Sequence, residues 1–313
     1  MMKRSKDWFP ISDVGCDFGL AENLFLRWSA GMILSKPTKS VFIAGLMGAA
    51  SMVQVRAELP SLSEKDWLGY FVGFEDKNSQ LGVSTVGKIL LKAKGKNGDV
   101  FGHAQAVDIG MVIEETQADG KVVQRKIKPE TLESAQPATH KPDHVAFRGK
   151  VTGDAEFEVT VTEGKAGEIL LGGKLLDSGK SKGALKFSLV VKFPNAYVSA
   201  KKDGDKKTEK AFEDKTKKDR LQLILVDKKR VKIETAGTVG ADLQQINGVG
   251  IAVAQLGLAA YQGKEFEVTA SENSLMTITP AGAGPLHDGF SLSWSADPAK
   301  DPQGQARLAI KVK

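Results

Sequence analysis

Apolar and polar residues alternate along short runs of this chain, and a period of two restricts such runs to half-buried strands. Residues 307–313 (RLAIKVK) place Leu308, Ile310 and Val312 on one face. Residues 229–234 place Val231 and Ile233 on one face and charges on the other, and residues 157–161 (FEVTV) repeat the pattern. Turn dipeptides separate the runs. Asn97-Gly98 divides 88–94 from 99–108, and Asp119-Gly120 divides 111–117 from 121–128. Both dipeptides favour the positive φ of tight hairpin turns. Lysine-rich outward faces discourage edge-to-edge association. The expected class is all-β: antiparallel β-sandwich with hairpin connections, preceded by a cleavable signal peptide.

Three segments break the alternation. Residues 128–143 (KPETLESAQPATHKPD) hold three prolines and few large apolar residues, so a loop or linker is expected at 129–143. It divides an N-terminal β-rich region, 58–128, from a C-terminal sandwich, 144–313. Residues 200–220 carry nine Lys/Arg and six Asp/Glu, with Phe212 the only large apolar side chain. A segment of that composition buries too little to offset its ordering entropy, which predicts a mobile excursion between strands. Residues 248–262 fit two periods. Val249, Ile251 and Val253 suit a strand, whereas Leu243, Ile246, Gly250, Val253, Gly257 and Ala260 suit a helix face. Glu156-Phe-Glu-Val-Thr160 also resembles Glu265-Phe-Glu-Val-Thr269, each followed downstream by Phe-Ser-Leu. Two related β units or chance likeness between strands would both account for it.

The first 57 residues speak to destination. From Met32, Lys36 and Lys39 form a positive stretch, Val41 to Val53 a 13-residue mostly apolar run, and Val55-Arg56-Ala57 a small-residue cleavage pattern. This is the layout of a secretory signal peptide at 32–57. The apolar run is shorter than the roughly 20 residues a membrane span needs, so no stable span is expected after cleavage. Residues 1–31, with Trp8, Trp28 and the single cysteine Cys16, are expected to be an upstream extension. Of 44 Lys/Arg and 38 Asp/Glu, seven and four fall in the first 57 residues, which leaves 37 against 34 and a net charge of +3. That near-neutral balance is not a nucleic-acid footprint. Periplasmic or extracellular residence is expected.

No catalytic motif survives inspection. Gly179-Lys-Ser181-Lys-Gly183 matches the G-x-S-x-G pattern, but the motif needs a helix after it and the following residues alternate as a strand. Gly173 lies one residue too far from Gly179-Lys180-Ser181 for a phosphate loop. His140 and His144 flank Pro142 without a third ligand in view. The acidic turns Glu75-Asp76-Lys77-Asn78 and Asp203-Gly-Asp205 match no calcium-loop register. No metal and no cofactor are expected. Trp67 and Tyr70, in the densest aromatic cluster, are the candidate ligand-binding residues, with core packing as the competing role.

The function expected on these grounds is a secreted or periplasmic non-catalytic β-sandwich protein with a binding or structural role at the cell envelope. Its partner would be an envelope glycan or protein. The alternative is a secreted, glycan-active hydrolase whose site is assembled from dispersed Asp and Glu. An outer-membrane barrel fits least, because the chain is poor in the aromatic residues of barrel girdles.

Overall fold

The alternating runs are strands. The computed structural model describes residues 70–134, 144–195, 210, 213–236 and 241–313, all within the unit Gln54–Lys313. Residues 1–57, expected to hold an upstream extension and a leader, lie outside the described residues, as do Trp67, residues 135–143 and most of the lysine-rich segment. In chain order the strands are β1 (Tyr70–Glu75), β2 (Ser79–Ser84), β3 (Ile89–Ala93), β4 (Val107–Thr116), β5 (Val122–Arg125), β6 (Ile127–Ser134), β7 (His144–Val151), β8 (Glu156–Glu163) and β9 (Glu168–Asp177). They continue with β10 (Ala184–Phe193), β11 (Arg220–Leu225), β12 (Arg230–Ile233), β13 (Ile251–Gly257), β14 (Glu265–Ala270), β15 (Ser274–Pro280), β16 (Phe290–Ala296) and β17 (Leu308–Val312). One helix, α1 (Ala241–Val249), precedes β13. Residues 213–216 form a single helical turn. No helix among the described residues is long and apolar enough to cross a membrane.

Both turn dipeptides behave as their chemistry predicts. Gly120 has φ +81°, and the Gln117 amide donates to Lys121 O at 2.8 Å to close the β4–β5 hairpin. Gly98 has φ +86°, and the strand beyond it shrinks to a single bridge, Lys94 with Val100.

One segment differs from expectation and another resolves two open readings. Residues 128–134 are not loop but part of β6, which pairs with β7 from Ile127↔Val151 to Ser134↔Phe147 with a register break between Lys128 and Glu133. Pro129 falls in that break. Among the described residues β6 pairs with β7 alone, and a strand edge tolerates a residue without an amide proton. Residues 241–257 satisfy both periods in turn. Helix α1 ends at Gly250, whose φ of +89° few other residues tolerate. Its amide donates to Ile246 O at 2.9 Å, and β13 starts at the next residue.

Every named pairing is antiparallel. Hydrogen bonds run from β1 through β2, β3, β4, β10, β16 and β15 to β13. From β13 they run on through β14, β17, β9, β8 and β7 to β6. The strand β5 shares one edge of β4 with β3. The hairpin β11–β12 occupies the remaining edge of β13. The sheet thus curls back on itself as a sandwich, with β13 common to both layers. The similar strings 156–160 and 265–269 fall in β8 and β14. β8 lies between its chain neighbours β7 and β9, whereas β14 lies between β13 and β17. Unequal connectivity makes the likeness one of strand composition.

The inward faces form one apolar cluster. β4 alternates buried and half-buried residues along nearly its whole length, as do β8 and β17. Rings join the layers. Phe193 on β10 meets Phe266 on β14 edge-on at 5.6 Å between centroids and stacks on Phe290 at 5.0 Å. Phe71 on β1 lies 6.0 Å from Phe147 on β7. The Phe187 ring lies against Gly173, where any Cβ would collide with it.

Phe193 is 2% exposed, and its ring contacts both layers. Phe193→Ala is expected to lower the unfolding free energy by about 3–5 kcal/mol, and Phe193→Leu by distinctly less, as read from urea denaturation.

Candidate functional site

A groove of about 490 Å³ lies between helix α1 and the β11–β12 hairpin. The helix presents Asp242, Gln245, Ile246 and Val249 to it, a spacing of 0, 3, 4 and 7 that defines one helical face. The hairpin contributes Leu225 and Asp227, then Lys229 and the consecutive residues 231–234.

Register explains the lining. Leu221 pairs with Ile233 and Leu223 with Val231, so these side chains share the buried face of the hairpin with Leu225. Lys232 and Glu234 project from the opposite face. A cavity touching both sets must run along the strand's edge. That edge is open: among the described residues β12 pairs only with β11.

Helix α1 holds its position by side-chain mimicry of a strand. Asn247 donates its amide nitrogen to Ile278 O and accepts from Ile278 N, each at 2.8 Å. The helix thereby occupies the β15 edge just beyond Met276, the last residue that β13 reaches. Leu243 and Ile246 anchor it in the core. Three exposed apolar residues gather nearby. Val226 and Val249 flank Gly250 in sequence or through the Val226 N to Gly250 O hydrogen bond, and Leu275 lies beside the place where a Gly250 Cβ would sit.

Of the residues singled out by sequence, Tyr70 opens β1 opposite Ser84 and is not part of the groove lining, while Trp67 lies outside the described residues. Of the groove residues, Val231 and Ile233 were legible as a strand face. The Asp242/Gln245/Ile246/Val249 stripe was not, although its helical spacing was present.

The G-x-S-x-G segment is a pinned turn between β9 and β10. The amides of Lys182 and Gly183 donate to Glu115 Oε1 at 3.0 and 2.8 Å, while Arg125 pairs with Glu115 Oε2. Glu115 is 2% exposed, so removing Arg125 would leave a buried carboxylate without its cation, at a cost of about 3 kcal/mol. The amides that an acyl-transfer site would aim at an oxyanion are therefore already occupied by a carboxylate. The β7–β8 turn docks on the same loop. Gly153 and Asp154 both have positive φ, and Asp154 accepts from Lys128 at 2.5 Å and pairs with Lys180 at 2.7 Å.

The acidic turn at 75–78 is likewise used internally. Asp76 Oδ1 accepts from the amides of Asn78 and Ser79 at 2.9 and 2.6 Å, and Lys94 pairs with Glu75. His144 Nδ1 lies 2.8 Å from Thr162 Oγ1 across β7 and β8. Among the described residues no three His, Cys, Asp or Glu side chains converge to hold a metal ion.

One further polar cluster joins loops at the sheet ends. The His287 amide donates to Thr235 O at 3.0 Å, and His287 Nε2 lies 3.4 Å from Asp288 Oδ1. Asn195 reaches the same carboxylate at 3.4 Å. Asp219 accepts from the Ala259 amide at 2.8 Å and from Thr235 Oγ1 at 3.4 Å. Much of the acceptor capacity of Asp219 is thus spent on backbone and loop anchoring.

Lysines 128 and 180 hold the Asp154 carboxyl down to about 2 from its ordinary 3.8. Because the folded value lies below the unfolded one, the contribution of Asp154 is complete above about pH 4 and is lost as pH falls toward about 2. The group is exposed, so the effect is modest and weakened by salt. Asp154→Asn is expected to lower stability modestly above about pH 4, where the native contribution is complete, and to leave it unchanged near pH 2, so that the acid limb flattens, measured by denaturation between pH 2 and 7.

No protein-family model matches the chain, and no curated protein matches it in sequence. Among solved structures it is similar to the α-N-acetylgalactosaminidase NagBb from Bifidobacterium bifidum in complex with Gal-NHAc-DNJ, at 10% identity and a TM-score of 0.50. That match covers 77% of this chain and 36% of the enzyme, so the chain spans about a third of the enzyme's length. The GalM/aldose epimerase homologue from C. elegans matches at 12% identity and a TM-score of 0.41, over 76% of this chain and 96% of that one. What the chain shares with the glycosidase structure is an antiparallel β fold.

Proposed function

We propose that the protein is an exported, non-catalytic β-sandwich that binds an envelope partner in the groove between α1 and the β11–β12 hairpin. The groove itself carries the reading. Apolar walls from Leu225, Val231, Ile233, Ile246 and Val249 meet a rim of Asp227, Lys229, Lys232, Glu234 and Asp242. Binding sites characteristically combine an apolar lining with a few polar groups that orient the ligand. Export rests on the leader-like segment 32–57.

The alternative, a glycan-active hydrolase, draws its support from the His287, Asp288 and Asp219 cluster, which places an imidazole beside a carboxylate. The anchoring role of Asp219 makes it the weaker reading.

Gln245 is an exposed residue of the groove's helical wall, so a larger side chain there fills the groove without touching the core. Immobilised envelope glycans and extended peptides form the screen. A ligand of the native protein is expected to lose at least about tenfold in affinity for Gln245→Trp, roughly 1.4 kcal/mol, with the melting temperature unchanged. Equal binding by the variant would remove the groove from consideration. Loss of a glycan-cleaving activity on Asp288→Asn would instead favour the hydrolase. Intact mass of material recovered outside the cytoplasm is expected to match residues 58–313; a full-length cytoplasmic mass overturns export.

A further inference from the structure

Among the described residues the edge of β12 is open, and it borders the groove from Val231 to Ile233, which determines what kind of ligand fits. An unpaired strand edge presents a row of backbone donors and acceptors. Proteins commonly guard such edges by covering them. Here helix α1 stands across the groove rather than on the edge, leaving a slot with strand backbone on one side and a helical face on the other. An extended polypeptide can use both: its main chain continues the ladder beyond β12, and alternate side chains enter the groove.

The two faces of β12 then dictate the sequence of that polypeptide. Val231 and Ile233 face the groove interior with Ile246 and Val249, so residues turned inward are apolar. Arg230 and Lys232 project from the outward face and are exposed, and Glu234 follows on the same face just beyond the strand. Residues directly across from them in an antiparallel pair come within cross-strand distance, where opposite charge stabilises and like charge opposes. We infer that the groove takes an extended peptide alternating apolar and acidic residues, added as a strand to the free edge of β12. The inference rests on the groove being the binding site and names its ligand class.

The test uses the full chain and fluorescence anisotropy with labelled heptapeptides. One alternates Val and Glu; a second alternates Val and Lys; a third is the Val/Glu peptide N-methylated on every second amide, so that it presents no donors to the strand edge. The Val/Glu peptide is expected to bind in preference to the Val/Lys peptide, and N-methylation is expected to abolish its binding. The double variant Arg230→Glu, Lys232→Glu is expected to weaken the Val/Glu peptide about tenfold, as two cross-strand charge pairs imply, and to reverse the preference between the two peptides. Both residues are exposed, and an unchanged melting temperature certifies the fold. Equal binding of the N-methylated peptide overturns strand addition. Undiminished Val/Glu binding by the double variant overturns the charge assignment. If neither alternating peptide binds while another ligand is lost on Gln245→Trp, the strand proposal fails and the groove stands. If Gln245→Trp changes no binding at all, the groove reading fails with it.

Discussion

One strand holds the two layers together. β13 gives Ile251 to Met276 of β15 and, two residues on, gives residues from Val253 to Gly257 to β14. Its other edge carries β11. Among the named strand pairings, every ladder that joins the layers passes through this short segment. The strand is seven residues long and is buried at Ile251, Ala254 and Leu256. Its backbone pairs on both edges, which suits a strand buried in the middle of a sheet.

The groove follows from what β13 cannot reach. Where its pairing with β15 stops, the β15 edge beyond Met276 needs another partner, and the Asn247 amide supplies one at Ile278. A buried carbonyl and amide left unpaired there would each carry a desolvation penalty. Asn247 therefore places α1, and Gly250 sets the angle at which the chain leaves the helix for β13. On the far edge, β11 pairs with β13 and carries β12 outward. Helix and hairpin are thus held apart by the same strand. The space between them belongs to the fold rather than to a loop conformation, and pre-organised sites lose less on binding.

Polar side chains away from the groove secure turns. Glu115 gathers Arg125 and the amides of Lys182 and Gly183, joining the β4–β5 hairpin to the β9–β10 loop. Asp154 ties the β7–β8 turn to Lys128 and Lys180. Asp76 closes its own turn. A serine inside a Gly-rich turn and acidic runs beside lysines resemble functional motifs when read linearly. In three dimensions their carboxylates and amides satisfy each other, which is what partly buried loops require.

The sequence alone determined the class of structure. Alternation in 229–234, 157–161 and 307–313, with Asn97-Gly98 and Asp119-Gly120 between runs, specified strands and hairpins, because side-chain period and turn φ are local properties. The helix-then-strand division at Gly250 was half visible, since two periods overlapped. Pro129 concealed the start of β6, because proline disfavours strands in general while a strand edge permits it. Which strands pair was decided only in the tertiary structure. Nothing local in β13 says that it serves two layers, or that Asn247 will stand in for a strand. The edge of β12 that is open among the described residues is likewise a property of pairing, and a chain read residue by residue carries no record of which strands pair on one edge only.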